Sequence, residues 1–169
     1  QRLNDAKTEI ENFLAVEKNK NSPEGWYTKA KIYSVISQDS VQKASTPGAR
    51  EISMASLKKY VELEKTSVKD STKRYMLLTL DNRKPLTDLY AGYSKDAASY
   101  YNAGNFVDAL SNFQGSLGVF DFMIDQGWTN GITIDTISIL YAGISAEKAN
   151  KPDTAALYYG KIAESKIQG

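Results

Sequence analysis

The stretch that decides the fold is Tyr93-Ser94-Lys95-Asp96-Ala97-Ala98-Ser99-Tyr100-Tyr101-Asn102-Ala103-Gly104-Asn105-Phe106-Val107-Asp108-Ala109-Leu110-Ser111-Asn112-Phe113. Tyr93, Ala97 and Tyr100 recur at helical spacing and fall on one helix face, since positions three and four apart are neighbours. Gly104-Asn105 interrupts the pattern. Glycine accepts the left-handed conformation that closes a helix, and asparagine is the next best residue for it. Phe106 restarts the apolar pattern, and Ala109 and Phe113 carry it on. Ala109 is small enough for two helix backbones to approach. Tyr100 and Phe113 are large enough to fill the space beside that contact. The stretch therefore reads as two helices joined by a tight turn.

Working outward, the pattern returns. Gly143 and Ala146 give a small face, Asn150-Lys151-Pro152 a turn, and Ala155 and Tyr159 a second helix. Pro152 suits a first helical turn, where its missing N–H is not needed. A more degenerate copy opens at Ser22-Pro23-Glu24-Gly25-Trp26, with Trp26, Ala30 and Tyr33 as large, small and aromatic positions. Its second helix is displaced to about Glu51–Glu64, beyond a loop containing Ser45-Thr46-Pro47-Gly48. Recurrence of small and large residues in one order around a turn is the mark of stacked helical hairpins.

These residues resemble the tetratricopeptide repeat (TPR). The likeness rests on Ala97 and Gly143, on Tyr100 and Ala146 three residues later, on the turns, and on Ala109 with Phe113 and Ala155 with Tyr159. It covers about two thirds of the chain. It implies an all-α fold of stacked antiparallel helical hairpins forming a TPR-like right-handed solenoid. On that frame 1–169 is one helical domain. Residues 1–21 are a leading helix, 22–65 the degenerate repeat and 66–88 an irregular connector. A repeat at 89–120, a helix extension and loop at 121–135, and a repeat at 136–169 follow. Ala109 and Ala155 lie 46 positions apart, against about 34 for this repeat; the extension and loop account for the excess. Within the connector, the apolar run Tyr75–Leu80 fits either a helix turn or a short strand by periodicity; its helical neighbours favour helix. The next helix is expected to begin after Pro85. Trp128, in the Gln126–Gly131 loop, either plugs the core or presents a surface.

Composition bounds the chemistry. The chain has 169 residues, a net charge of +1, and neither histidine nor cysteine. That excludes Ser-His-Asp and Cys-His catalysis, thiolate chemistry, disulfides and ordinary zinc sites. The balanced charge leaves no electrostatic footprint for nucleic acid. No apolar run is long enough to span a bilayer, and no phosphate-binding glycine motif is present. No cofactor and no metal are expected. For an enzyme, Asp96, Asp108, Asp121, Asp125, Asp135 and Glu147 are candidates by residue type alone.

The chain opens at Gln1 and ends at Gly169 directly after a repeat. We read it as a processed product or a fragment of a longer protein. Its Gln start, its Pro-Glu-Gly-Trp-Tyr-x-Lys-Ala-Lys-Ile-Tyr opening, Leu57-Lys58-Lys59-Tyr60-Val61-Glu62-Leu63 and the Gly-Trp loop resemble multi-repeat proteins of the Gram-negative cell envelope, especially of Bacteroidetes-like bacteria. The likeness implies a periplasmic or surface location.

In the repeat family the first helix of each hairpin lines the concave face. The resemblance thus implies partner-binding positions at Tyr27, Lys31 and Ser34, at Ser94, Ala98, Tyr101 and Asn102, and at Leu140, Ile144, Glu147 and Lys148. Some members clamp a peptide's terminal carboxylate with lysine and asparagine. Here Tyr27 stands at a basic position and Lys31 at an amide position, so that clamp is not reproduced. Ile132, Ile134, Ile137, Ile139, Leu140, Tyr141 and Ile144 make the stretch near 134–144 apolar nearly all round, which is normal for a covered helix. Further repeats, a dimer partner or the ligand are its expected covers. The function expected is a non-enzymatic scaffold for a protein or peptide partner. The alternative is a carbohydrate-binding envelope protein, with tyrosine and tryptophan rings stacking on sugars.

Overall fold

A computed structural model describes residues 2–167, with side chains through Ser165. Gln1 and the last two residues of the 136–169 repeat lie outside it. Among the described residues there are helices and no strand. The α-helices are α1 (Arg2–Ala15), α2 (Pro23–Gln38), α3 (Ser40–Ser45), α4 (Ala49–Ser67), α5 (Met76–Leu80), α6 (Lys84–Asn102), α7 (Phe106–Asp125), α8 (Thr136–Lys148) and α9 (Pro152–Ile167). The chain divides into two compact units, Gln1–Leu89 and Tyr90–Gly169.

In the first unit α2 packs on α1 and α4. Ser22 caps α2 by accepting the Gly25 N–H at 3.0 Å. A Cβ on Gly25 would lie 2.9 Å from both Phe13 and Leu14 side-chain atoms, so α1 closes on α2 at the one residue without a side chain. Tyr33, Ile36 and Ala49 form a core patch. Buried Ser53 ties α4 to α2 by donating to the Ala30 carbonyl at 2.7 Å. The segment expected as loop before α4 is partly helical. Asp39 starts α3 by accepting the Val41 and Gln42 N–H groups at 3.0 and 2.8 Å.

The apolar run at 75–80 resolves as a helix of little more than one turn, α5. Tyr75, at its N-cap, sits in the left-handed region at φ 61°. Its N–H donates to the buried Glu64 carboxylate at 2.8 Å. Two more left-handed residues, Asn82 and Arg83, turn the chain into α6. That helix begins at Lys84 rather than after Pro85, which is compatible with proline's tolerance in a first turn.

In the second unit both hairpin turns use a left-handed residue, but not the same one. Gly104 takes the first at φ 76° and Asn150 the second at φ 56°. Asn105, expected to help close α6, instead caps α7 by accepting the Asp108 N–H at 3.3 Å. Asp135 starts α8 by accepting the Ser138 N–H at 3.0 Å. The helix thus begins at Thr136, and Ile132 and Ile134 lie in the preceding loop. Each hairpin closes over a glycine beneath a tyrosine ring. A Cβ on Gly115 would lie 2.5 Å from Tyr93, and one on Gly143 would lie 2.8 Å from Tyr159. Ala97, Ala109, Ala142 and Ala146 are fully buried in the core between the helices, with Phe113, Leu117 and Ile139 around them. The large residue that joins Ala97 on this face is Tyr101, not Tyr100. Four residues on is nearer in phase than three, and Tyr100 is left 39% exposed. Trp128 is half-buried, edge-on to Phe122 with ring centroids 6.0 Å apart.

Candidate functional site

The second unit holds a groove of about 460 Å³ between α6 and α8. Its α6 wall is built from Tyr90, Ser94, Ala98, Tyr101 and Asn102. These residues recur at three- and four-residue steps, so one helix face presents them all. The facing wall is the start of α8, with Asp135, Ile137, Ser138 and Tyr141, and Phe113 of α7 reaches in between. The volume lies within the ~300–1,000 Å³ usual for ligand sites.

Two contacts tie the walls together. The Tyr90 hydroxyl donates to Asp135 Oδ2 at 2.7 Å. Tyr101 meets Tyr141 edge-on at 5.3 Å, and Tyr141 in turn stacks on Phe113 at 5.8 Å with the planes 19° apart. Burial, and then the Asp135 carboxylate, push the Tyr90 phenol above its ordinary pKa, so it stays protonated and keeps donating. Ser94 Oγ is shielded from water.

Beside the groove α8 leaves apolar surface open. Ile137 is 70% exposed, Leu140 42% and Tyr141 39%. Ile144 is half-buried, and Ile139 turns into the core. The stretch is therefore apolar all round by sequence but covered on one side only within its unit.

The sequence-predicted positions separate into three groups. Ser94, Ala98, Tyr101 and Asn102 share the groove. Glu147 and Lys148 are not among its lining residues. Glu147 accepts the Tyr159 hydroxyl at 2.7 Å, and Lys148 lies 5.1 Å above the Phe106 ring. Tyr27, Lys31 and Ser34 belong to the first unit. There Lys31 and Ser34 line a smaller cleft of about 210 Å³ with Asp81, Lys84 and Asp88.

Tyr27 and Ser34, expected on an open face, are buried. Tyr27 packs on Tyr60 at 5.1 Å and donates to Asp81 at 2.6 Å. Lys31 pairs with the same carboxylate at 2.6 Å. The Lys31 ammonium and the Tyr27 hydroxyl hold Asp81 below the usual carboxylate range, while burial and that carboxylate raise the Tyr27 phenol. Lys84 and Asp88 pair at 2.7 Å. This cleft is thus lined by charges that already satisfy one another.

Sequence reasoning missed Tyr90, Phe113 and Ser138 as groove residues and singled out Asp135 only by type. The available signal was local: an aspartate directly before an apolar helical pattern is an N-cap. Nothing in the sequence says that the same carboxylate meets Tyr90. Among the described residues no group of acids is placed to hold a metal ion, and no helix is long and apolar enough to cross a membrane. No protein-family model matches this chain, nor does any curated protein or solved structure.

Proposed function

We propose that this chain is a TPR-like scaffold without catalytic activity, which docks a protein or peptide segment along the first helices of its hairpins. The observation that carries the reading is the groove between α6 and α8, with Ile137, Leu140 and Tyr141 open to solvent at its side. An apolar strip beside a few convergent polar groups suits side-chain anchoring of a peptide. The stacked-hairpin, right-handed solenoid arrangement is part of the same proposal. It draws on the recurring alanine and glycine contacts inside each hairpin of the second unit. The sequence likeness to envelope repeat proteins supports a periplasmic or cell-envelope location.

The carbohydrate alternative calls for open ring faces. Phe113 covers one face of Tyr141, and Tyr101 and Tyr141 are turned edge to face. Those rings serve the protein's own packing, which favours the peptide reading.

The test is a photo-crosslinking residue placed at position 140, with position 157 as an exposed control on α9, in the full-length protein in its native cells. One stoichiometric protein adduct at 140, absent at 157 and lost when Tyr101 and Asn102 are both changed to alanine, supports the proposal. No protein adduct at 140, with retention on an immobilised glycan instead, overturns it.

A further inference from the structure

The groove contains a carboxylate with which no described lysine or arginine forms an ion pair. Asp135 is half-buried, with one oxygen accepting from Tyr90 and the other from the Ser138 N–H. Among the described residues no lysine or arginine pairs with it. An ionised carboxylate offers about four acceptor sites, so roughly two remain open. The positive end of α8 offsets about half a charge at most.

The surroundings have the same sign. The adjoining cleft of about 550 Å³ shares Asp135 and adds Asp121 and Glu164 against Lys161. By sequence the unit Tyr90–Gly169 carries eight carboxylates and five lysines, a net charge of −3, while Gln1–Leu89 carries a net +4. The overall +1 therefore conceals an acidic half, and the groove lies in it. Beside Asp135 the lining is aromatic, with Tyr90, Tyr101, Phe113 and Tyr141. Aromatic faces attract cations electrostatically, and a long basic side chain has an apolar stem that suits such a wall.

We infer that the groove takes a lysine or arginine side chain from a basic, partly apolar peptide segment. The cationic head sits at Asp135, and the stem and neighbouring apolar residues lie along Ile137 and Tyr141. This rests on the peptide-docking reading and adds the sign of the partner. An acidic segment is repelled by the unit's net charge, and a neutral one leaves the open acceptor sites of Asp135 to water.

The test is selection of a random heptapeptide display library on the intact chain and, in parallel, on Asp135→Asn. Asparagine keeps the N-cap through its carbonyl oxygen, and its amide donates to the Tyr90 hydroxyl instead of accepting from it. Arginine or lysine is expected to be enriched at one position on the wild-type chain only. A selected peptide, resynthesised with citrulline at that position, should bind about tenfold more weakly, as should the original peptide to Asp135→Asn. Its binding should weaken as salt rises and shift the amide resonances of Ser94, Ala98, Tyr101, Ile137 and Tyr141. Peptides that shift those amides with no basic preference, or bind Asp135→Asn equally well, overturn this inference and leave the docking reading standing. No peptide disturbing the groove of a chain whose spectrum shows it folded overturns both.

Discussion

Two glycines of α7, three residues apart, should respond to the same substitution with opposite signs. A Cβ on Gly115 would stand 2.5 Å from two ring carbons of Tyr93 and 2.9 Å from a third. One on Gly118 would meet nothing within 4 Å. Both residues lie inside the helix, so glycine-to-alanine gains the same backbone term at each, about 0.5–1 kcal/mol. At Gly118 that gain stands alone, and Gly118→Ala should stabilise the chain. At Gly115 the methyl must displace a ring attached to the facing helix. Overpacking of this kind costs about 1–3 kcal/mol. The helix term cancels between the two variants, so their difference isolates the overpacking.

Urea unfolding followed by far-UV circular dichroism would measure it. Gly118→Ala should exceed Gly115→Ala by about 1–3 kcal/mol. A gap of about 2 kcal/mol corresponds to roughly 4–8 °C in Tm for a chain of this length. Removing the ring with Tyr93→Ala should abolish the penalty of Gly115→Ala, giving a coupling of about 1–3 kcal/mol in the double-mutant cycle. Equal stabilisation by both alanines, or no coupling to Tyr93, would refute the claim that this hairpin closes over a glycine. The result bears on the groove as well, because Tyr93 and Ser94 are neighbours on α6.

Three further outcomes test other parts of the chain. Asn105→Ala removes the cap of α7 and should cost about 1 kcal/mol in urea unfolding, with Asn105→Ser retaining most of the stability; Asn105→Asp should retain less, because the Asn105 amide donates to the Asp108 carboxylate at 2.6 Å. Glu64→Ala deprives the left-handed Tyr75 of its N–H acceptor and should cost about 1–3 kcal/mol; hydrogen exchange at the Tyr75 amide should speed up with it. Asp81 has a folded pKa below its unfolded value of about 3.9, so its contribution is present above that pH and is lost as pH falls through the folded value. Asp81→Asn should flatten the stability profile below about pH 4 and leave its slope near neutrality unchanged, as read from Tm against pH.

What the sequence made legible was local. Gly104, Asn150 and Pro152 act within a turn, and their backbone requirements are properties of those residue types. The repeat resemblance pointed to Ser94, Ala98, Tyr101 and Asn102, and their spacing sets them on one helix face. Periodicity mistook Tyr100 for Tyr101 because two adjacent tyrosines satisfy the same pattern, and a shift of one position moves a side chain by about 100°. Tyr27 and Ser34 were drawn toward an open face by alignment, whereas their burial depends on α4 and the connector, which interrupt the pattern there.

The groove's charge was illegible for a different reason. Asp135 looks like an ordinary N-cap in the sequence, and its acidity looks balanced because the whole chain is nearly neutral. Its meaning comes from two facts about distant residues: Tyr90 lies 45 positions away in sequence and within hydrogen-bond reach, and the lysines that balance the total lie mostly in the other unit. A net charge averages over the chain, but a partner meets one surface. At physiological ionic strength the screening length is about 8 Å, so a ligand responds to the charges nearest to it rather than to the total. The basic partner proposed for the groove therefore rests on the acidic residues around α8, and the near-neutral total does not argue against it.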